Sequence, residues 1–411
     1  MSSMAAAQQP ASTLDQRVTD IVSVLLAREA PERVFAPPFL IAVPPAQLAD
    51  LVRRLEAANG ALRSAEGLVP VTPTSGRFTL RFEKATAVAS FSIEPRAPGR
   101  VTGLRIGSAV PLADDARTIA ADFAALPGRS GFALVRLGQA SPIAAAHADS
   151  QFAIGSVFKL WVLDALAADV AAGRHRWDEV VRLGPRSLPS GVTQDWPADA
   201  PVTVETLATL MISMSDNTAT DVLIGLVGRE RVAARVRATG HSDPARMLPL
   251  LTTAESFALK LSPSSTREAY ARADEAGQAR ILAGLDTEKI LADADLTALD
   301  GAPTAIETIE WFASPADVAR VLDGLRQSRD PRVLAILGVA PTMARDLRER
   351  FAYVGYKGGS EVGVISLAWL MRRKSGGWMA VTASWNDPAA AVDPQRFAGL
   401  AERLLRLAAS D

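Results

Sequence analysis

The strongest constraint on the fold of this chain is a single apolar run, FAIGSVFKLWVLDALAADV, from Phe152 to Val170. A run of this length and hydrophobicity is typical of a helix packed inside a core. It nevertheless carries Ser156 and Lys159, which share a helix face because residues three apart are neighbours on the helix surface. Lys159 could extend its stem so that its amine reaches solvent. If it faces inward instead, burial lowers its pKa and makes it a base toward the neighbouring hydroxyl.

The composition excludes several classes of function. The chain has 411 residues, a net charge of −1 and no cysteine. Disulfides, thiolate nucleophiles and cysteine metal sites are therefore excluded. The near-neutral net charge does not indicate a nucleic-acid-binding surface. The three histidines, His147, His175 and His241, have no ligand-like spacing, so we expect no metal and no cofactor.

The same survey bears on membranes and on cellular location. No apolar segment reaches the roughly 18–20 residues that span a bilayer, so no membrane span is expected. The N-terminal stretch MSSMAAAQQPASTLDQ lacks the basic and apolar regions of a signal peptide. The location stays open: periplasmic or secreted if a leader has been removed, and cytoplasmic otherwise. The oligomeric state is open as well.

Two domains are predicted along the chain. Residues 11–110 combine helical patterns with short alternating runs such as RFTLRFEKATAVASFSIEP, which indicates a small α+β accessory domain. Residues 115–411 read as strands, many helices, more strands and a closing amphipathic helix. That order predicts an α+β domain whose sheet is assembled from both ends of the segment. Because the first domain lacks clustered polar residues, we expect the chemistry in the second.

Two further short stretches could carry chemistry. The triplet SDN at residues 215–217 interrupts an apolar helical run. It is a frequent turn or cap composition, but in a cleft its hydroxyl could relay a proton and its amide could hold a carbonyl. The stretch KGGS at residues 357–360 follows a strand-like run. Its glycines would let a ligand lie close along a strand edge, or would simply make a bulge or hairpin turn.

Taken in order, the elements S-x-x-K, S-D-N and K-G-G resemble the signature of the penicillin-recognising serine hydrolases, closest to class A β-lactamases. The resemblance extends to the segments FAIGSVFKL, TVETLATLMISMSDNTATDVLI and WFASPADVARVLDGLR, and it covers residues 115–411. It implies a β-lactamase/transpeptidase-like fold, in which an antiparallel sheet flanked by helices adjoins a helical lobe.

The resemblance also implies acyl transfer from a small-molecule substrate that contains an ester, amide or β-lactam bond. Backbone N–H groups of Ser156 and Ser360 would form the oxyanion hole. The catalytic residues would be Ser156 as nucleophile, Lys159 as its general base and Ser215 as proton shuttle. The residues around the substrate would be Asn217, Lys357, Gly359, Ser360 and, on the cleft rim, Ser190.

The sequence departs from this family in three respects. No E-x-x-L-N pattern supplies a base for deacylation. The nearest acids are Glu255, whose setting is typical of a helix cap, and Glu310, which could equally be a solvated charge. Gly358 stands where the family normally has serine or threonine, which weakens recognition of a substrate carboxylate. The first domain is an addition that loosely resembles a cystatin- or NTF2-like domain.

These departures define the hypotheses. The leading one is a serine hydrolase with an acyl-enzyme on Ser156, acting as an esterase, a slow β-lactamase or a peptide acyl-transferring enzyme. The missing base would reduce deacylation by roughly 10²–10⁴-fold. The alternative is therefore a penicillin-binding, acyl-sensing or transpeptidase-like protein with little turnover. A structural role for an inactive relative is the least favoured, because the five motif residues are all intact: Ser156, Lys159, Ser215, Asn217 and Lys357.

Overall fold

The structure is a computed structural model that describes residues 14–410 except 97, 113, 188 and 294. Residues 11–13, the start of the predicted first domain, lie outside the described residues. The chain divides into two compact units, Met1–Asp115 and Ala116–Asp411.

In its described residues, the first unit consists of four helices followed by a four-stranded antiparallel sheet in the order β1-β2-β3-β4. Three of the helices begin at a proline, which is favoured there because the first helical N–H has no partner in any case. Alternate residues of β2, among them Phe78 and Leu80, pack with Ile21 of α1 and Leu48 of α4. The cystatin- or NTF2-like character of this unit stays a prediction. Its elements are α1 (Leu14–Leu25), α2 (Pro31–Val34), α3 (Pro37–Ala42), α4 (Pro45–Asn59), β1 (Leu62–Thr72), β2 (Ser75–Phe82), β3 (Ala85–Ile93) and β4 (Val101–Pro111).

The second unit alternates between sheet and helices. Its first half contains α5 (Ala116–Ala124), β5 (Arg129–Arg136), β6 (Ala144–Ala146), β7 (Phe152–Ala153), a 3₁₀ turn (Gly155–Phe158), α6 (Lys159–Ala171), β8 (Val180–Arg182), a 3₁₀ turn (Thr193–Asp195), β9 (Pro201–Thr203), α7 (Val204–Ser213), α8 (Asn217–Val227), α9 (Arg229–Ala238) and a 3₁₀ turn (Pro244–Arg246). Its second half contains α10 (Thr253–Leu261), α11 (Ser264–Arg272), α12 (Glu275–Ala283), α13 (Thr287–Asp293), a 3₁₀ turn (Leu296–Leu299), β10 (Phe312–Ala313), α14 (Pro315–Gln327), α15 (Pro331–Leu337), α16 (Arg345–Arg348), β11 (Phe351–Glu361), β12 (Val364–Arg373), β13 (Trp378–Asn386) and α17 (Pro394–Ser410).

The main sheet of the second unit is antiparallel, with strand order β11-β12-β13-β5-β6. Strands from the beginning and the end of the unit therefore meet in one sheet. Helices α5 and α17 pack on one face, around Phe123 and Phe397, and α14 contacts the other face. The predicted α+β class and the sheet assembled from both ends are confirmed. Strand β11 lies at an edge of the sheet, next to the helical lobe.

The apolar run from Phe152 to Val170 forms the centre of the helical lobe. The structure divides it into the 3₁₀ turn Gly155–Phe158 and helix α6, rather than one continuous helix. Helix α6 is buried on nearly all sides, among the surrounding lobe helices. Lys159 is 0% exposed, so its amine does not reach solvent. Within the described residues, no helix is both long enough and apolar enough to cross a membrane.

Candidate active site

Ser156 lies on the turn that leads into α6, where the edge strand β11 presses against it. A Cβ atom on Gly359 would lie 2.5 Å from the Ser156 amide nitrogen, which no side chain tolerates. Gly155 has a φ of 47°, and a Cβ there would lie 3.1 Å from the amide nitrogen of Ser360. The two glycines therefore allow the strand and the turn to approach closely. The backbone amides of Ser156 and Ser360 both lie where the strand and the turn meet. Among the described residues, the half-buried Ser156 hydroxyl has no hydrogen-bond partner.

Lys159 is held by neutral oxygen acceptors. Its Nζ donates to the Ser215 carbonyl oxygen at 2.6 Å and to Asn217 Oδ1 at 2.7 Å, and it lies 3.2 Å from Ser215 Oγ. Burial, followed by the positive charge of Lys357, holds the pKa of Lys159 well below its usual value. A neutral amine has two N–H groups, which the two nearer acceptors, the Ser215 carbonyl and Asn217 Oδ1, can occupy, and one lone pair. The lone pair is left for a neighbouring hydroxyl proton.

Ser215 occupies a strained turn between α7 and α8. Its φ is 58°, in the left-handed region that non-glycine residues rarely adopt. The buried carboxylate of Asp216 stabilises this turn, because it caps α8 at the Ala219 amide and accepts hydrogen bonds from the amide and hydroxyl of Thr193. The turn thus presents the Ser215 side chain toward the neighbouring sheet.

Lys357 approaches the same hydroxyl from the sheet. Its Nζ donates to Ser215 Oγ at 3.1 Å and to the Gly358 carbonyl oxygen. Burial lowers the pKa of Lys357 to about 7. The Ser215 hydroxyl therefore lies between two lysine amines, Lys159 and Lys357, whose pKa values are both lowered. The side chains of Lys159, Ser215 and Lys357 are thus in direct contact, and Ser156 lines the same cavity as Ser215 and Lys357.

Gly358 departs from the family motif for a reason visible in the structure. A Cβ at this position would collide with the hydroxyl of Tyr356 and lie 3.0 Å from its Cζ. Tyr356 and Gly358 are two residues apart on β11, so they share a face of the strand. The tyrosine ring covers the position that a serine or threonine side chain would occupy.

Asp221, a half-buried aspartate that the sequence does not single out, connects α8 with Ser187 and with the start of α10. Asp221 accepts hydrogen bonds from Ser187 Oγ at 2.7 Å, from the Thr253 amide at 2.7 Å and from the Ala254 amide at 3.0 Å. Burial raises its pKa, and these hydrogen bonds counteract the rise. It lies one turn after Asn217 on α8, so it fixes the helix that carries Asn217 to the start of α10.

Together these elements enclose a cavity of about 430 Å³. Ser156, Ser215, Lys357 and Ser360 line it. Ser190 also lines it, and its carbonyl oxygen accepts the Asn217 amide at 2.9 Å. No group of residues suited to hold a metal ion occurs in the described part of the chain.

The two candidate deacylation bases lie in different places. Glu255 is the third residue of α10, where it completes a capping box with Thr252 and pairs with Arg229 at 2.6 Å. It does not line the cavity, so the structure does not bring it to Ser156. Glu310 lines the cavity, but it is 6% exposed rather than solvated, and its carboxylate lies 2.7 Å from Lys260 Nζ.

Lys260 and Glu361 complete a buried acidic cluster with Glu310. Lys260 Nζ also donates to both carboxylate oxygens of Glu361. Neither Lys260 nor Glu361 is predicted from the sequence. Two features could have indicated them: Lys260 is a rare lysine inside the apolar stretch SFALKLS, and Glu361 follows Lys357 and Gly359 at every second position of one strand. We refer to Lys260, Glu310 and Glu361 as the acidic cluster.

Solved structures share the fold of this chain. A β-lactamase from Sphaerobacter thermophilus has a TM-score of 0.50 at 21% identity, and the match covers 71% of this chain and 94% of that one. A β-lactamase from Desulfarculus baarsii gives 0.50 at 20% identity, with 72% and 99% covered. The protein PBP-A gives 0.50 at 16% identity, with 73% and 97% covered. At these identities the likeness establishes the fold.

The fold is that of the β-lactamase-like serine hydrolases, as the resemblance predicted. The sequence profile of the beta-lactamase enzyme family matches residues 112–340, which is more than half of the chain. The chain belongs to the beta-lactamase enzyme family. It matches none of the curated proteins.

Proposed function

We propose that the protein is a serine hydrolase that forms an acyl-enzyme on Ser156 and acts on an ester, amide or β-lactam bond. One observation carries this proposal. Lys159, one turn from Ser156, is fully buried, has a lowered pKa and contacts the Ser215 hydroxyl that Lys357 contacts from the other side. Such an arrangement supplies a general base and a proton relay without histidine.

In the acylation step, Ser156 Oγ attacks the substrate carbonyl carbon and its proton passes to the lone pair of Lys159. The carbonyl oxygen becomes an oxyanion, which the amides of Ser156 and Ser360 stabilise by hydrogen bonds. When the tetrahedral intermediate collapses, the bond to the leaving group breaks. Ser215 gives its proton to the leaving group and recovers one from Lys159, so the protons balance at the end of the step.

Substrate binding falls to the rest of the cleft. The 2.7 Å hydrogen bond from Lys159 to Asn217 Oδ1 supports an orienting role for Asn217. Lys357 would attract a carboxylate or carbonyl on the leaving-group side. Ser360 and Ser190 line the cavity and would hydrogen-bond the substrate there.

A low-turnover protein is the second candidate, and the placement of the acids favours it. Among the described residues that line the cavity, the carboxylates are Glu310 and Glu361, and both are paired with Lys260. A deacylating water needs a carboxylate or another base with a free lone pair. Penicillin binding or acyl sensing through a long-lived acyl-enzyme fits this site.

The test is mass spectrometry of the denatured protein after incubation with a penicillin and with p-nitrophenyl esters, together with steady-state assays. We expect an adduct of one acyl group in the wild type and none in Ser156→Ala. The matched control is Ser213→Ala, which removes a cavity-lining hydroxyl that donates to the Thr209 carbonyl oxygen at 2.6 Å. It should acylate normally.

The outcomes separate the candidates. Multiple turnovers that depend on Ser156 support the hydrolase. An adduct that persists for hours with no turnover supports the second candidate. The absence of any Ser156-dependent adduct, with no turnover of either substrate class, contradicts both.

A further inference from the structure

The acidic cluster is a feature of the cleft that the proposed chemistry does not use. Lys260 lies on α10, Glu310 precedes β10 and Glu361 ends β11, so three separate elements meet there. The side chains of Lys260 and Glu310 are 2% exposed, whereas that of Glu361 is 22% exposed. Both glutamates line the cavity. Glu361 is thus the member of the cluster that faces open space.

The charges in the cluster do not balance. One ammonium faces two carboxylates, and Lys260 has its three N–H groups directed at oxygens of these two residues. Burial lowers the pKa of Lys260, but the two carboxylates outweigh this effect and raise it above its usual value. Burial and the neighbouring Glu310 raise the pKa of Glu361 to about 8. The cluster therefore lacks one positive charge, which a proton or another cation can supply.

The position of the cluster along β11 gives the cleft a polarity. Lys357, Gly359 and Glu361 alternate on the face of the strand that meets the helical lobe. Four residues of strand separate the Cα atoms of Lys357 and Glu361 by about 13 Å. Gly359, halfway between them, contacts the Ser156 turn. The nucleophile therefore lies between a basic end and an acidic end.

The proposed mechanism assigns a part of the substrate to each end. Ser215 gives its proton to the leaving group and contacts Lys357, so the leaving group lies toward the basic end. The acyl part of the substrate then extends the other way, toward Glu361 and Glu310. The acyl part must therefore be compatible with two carboxylates that are partly or wholly removed from solvent.

We propose that Glu361 and Glu310 form a subsite for a cationic group on the acyl part of the substrate, such as an ammonium or guanidinium. This inference rests on the proposed acylation of Ser156, since that reaction orients the substrate. It defines the substrate class as acyl compounds that carry a positive charge a few bonds from the reacting carbonyl. A purely structural cluster, which only ties β11 to α10, would not discriminate between charged and neutral acyl groups.

The test compares two p-nitrophenyl esters of nearly equal shape. One carries a trimethylammonio-butanoyl group, and the other carries its tert-butyl isostere, in which carbon replaces the charged nitrogen. Both esters are given to the full-length wild type, and the second-order rate constant of acylation is measured. At pH 9, where Glu361 has lost its proton, we expect roughly tenfold faster acylation by the cationic ester, since close charge pairs are worth about that much.

Three variants locate the effect. Glu361→Gln and Glu310→Gln keep the shape of the side chain and remove its charge, and each should reduce the preference to within about twofold. Glu307→Gln is the matched control, because it removes one charge three residues from Glu310 on an exposed side chain that does not line the cavity. It should keep the preference. If one Gln variant fails to fold, the other carries the comparison.

The pH dependence provides a second readout. The charged groups that face Glu361 are Lys260 from α10 and Glu310 from the segment before β10. Because Glu361 loses its proton as the pH rises through about 8, the preference for the cation should increase between pH 7 and pH 9. Lys357 also loses its charge near pH 7, which reduces its repulsion of the cationic ester. The same profile is therefore measured in Glu361→Gln, where the part of the increase that Glu361 causes should be absent.

A binding arm distinguishes failure of this inference from failure of the proposed function. Ser156→Ala is titrated by calorimetry with the corresponding non-reactive amides. If neither these esters nor a penicillin acylates the wild type, but the cationic amide binds more tightly in a Glu361-dependent way, the proposed function is wrong and the subsite stands. If both esters acylate at equal rates, or if the preference survives in both Gln variants, the subsite is overturned and the proposed function stands.

Discussion

Two buried lysines, Lys159 and Lys260, contact residues that line the same cavity, and their pKa values are shifted in opposite directions. Lys159 is 0% exposed and Lys260 is 3% exposed. Burial alone lowers the pKa of a lysine, and it does so at both sites. Yet the pKa of Lys159 lies well below its usual value, whereas that of Lys260 lies above it.

The difference comes from the atoms around each amine. Lys159 donates to a carbonyl oxygen, an amide oxygen and a hydroxyl, and a second lysine lies nearby. Lys260 donates to two carboxylates. Neutral acceptors leave the desolvation of the charged form uncompensated, whereas carboxylates compensate for it. The partners of a buried lysine therefore decide whether it can serve as a base or only as a fixed cation.

The largest expected effect comes from removing the amine of Lys159. Lys159→Met should slow acylation of a neutral p-nitrophenyl ester by about 10³-fold, which lies within the range of general base catalysis. Stopped-flow release of nitrophenolate measures it. Lys159→Arg should be equally slow, because a guanidinium stays protonated and cannot accept the proton. Acylation within tenfold of the wild type in Lys159→Arg would remove Lys159 from the role of base.

Removal of Lys260 should affect stability instead of chemistry. Lys260→Met leaves two carboxylates together without a cation, so the free energy of unfolding should fall by about 3 kcal/mol at pH 8. Urea denaturation measures this loss, which should shrink at lower pH as the carboxylates take up protons. Acylation of the neutral ester should remain within about tenfold. A 10³-fold loss of acylation with unchanged stability would reverse the roles of the two lysines.

The smallest expected effect is a shift in pH dependence. The positive charge of Lys357 is the second cause, after burial, of the lowered pKa of Lys159. In Lys357→Gln the pKa of Lys159 should therefore rise, by roughly one unit or less for a charge pair at this range. The acid limb of kcat/KM against pH then moves to higher pH, because the base stays protonated longer. A neutral ester without a carboxylate is the appropriate substrate, and a shift to lower pH contradicts the electrostatic coupling.

The sequence predicted the fold and most of the basic end of the cleft, for physical reasons that can be named. Ser156 and Lys159 are local neighbours on a helical face, and the polar triplet at 215–217 interrupts an apolar run. The strands at both ends of the second unit follow from their alternation. The resemblance to a known family then predicted that the three motifs, S-x-x-K, S-D-N and K-G-G, lie in one site. The roles of the individual residues remain predictions until the Ser156 variants are tested.

The acidic cluster could not be predicted in the same way. Its contacts join residues 50 and 101 positions apart, and no local period relates an isolated lysine to distant glutamates. The sequence allows Glu310 to be a base or a solvated charge, because nothing in it shows what the residue faces. The collision between a side chain at 358 and the ring of Tyr356 likewise depends on the rotamer of the tyrosine, although the shared strand face follows from alternation.

The most direct test of the contrast between the two lysines is a titration of both amines by nuclear magnetic resonance. The sequence contains six lysines, so a protein labelled with ¹³C at lysine Cε and ¹⁵N at Nζ gives few signals, and Lys159→Arg and Lys260→Arg assign the two of interest. We expect the Lys159 amine to titrate well below 10.5 and the Lys260 amine to titrate above it. If both amines titrate near 10.5, their partners do not shift the two pKa values in opposite directions, and Lys159 is not prepared to act as a base.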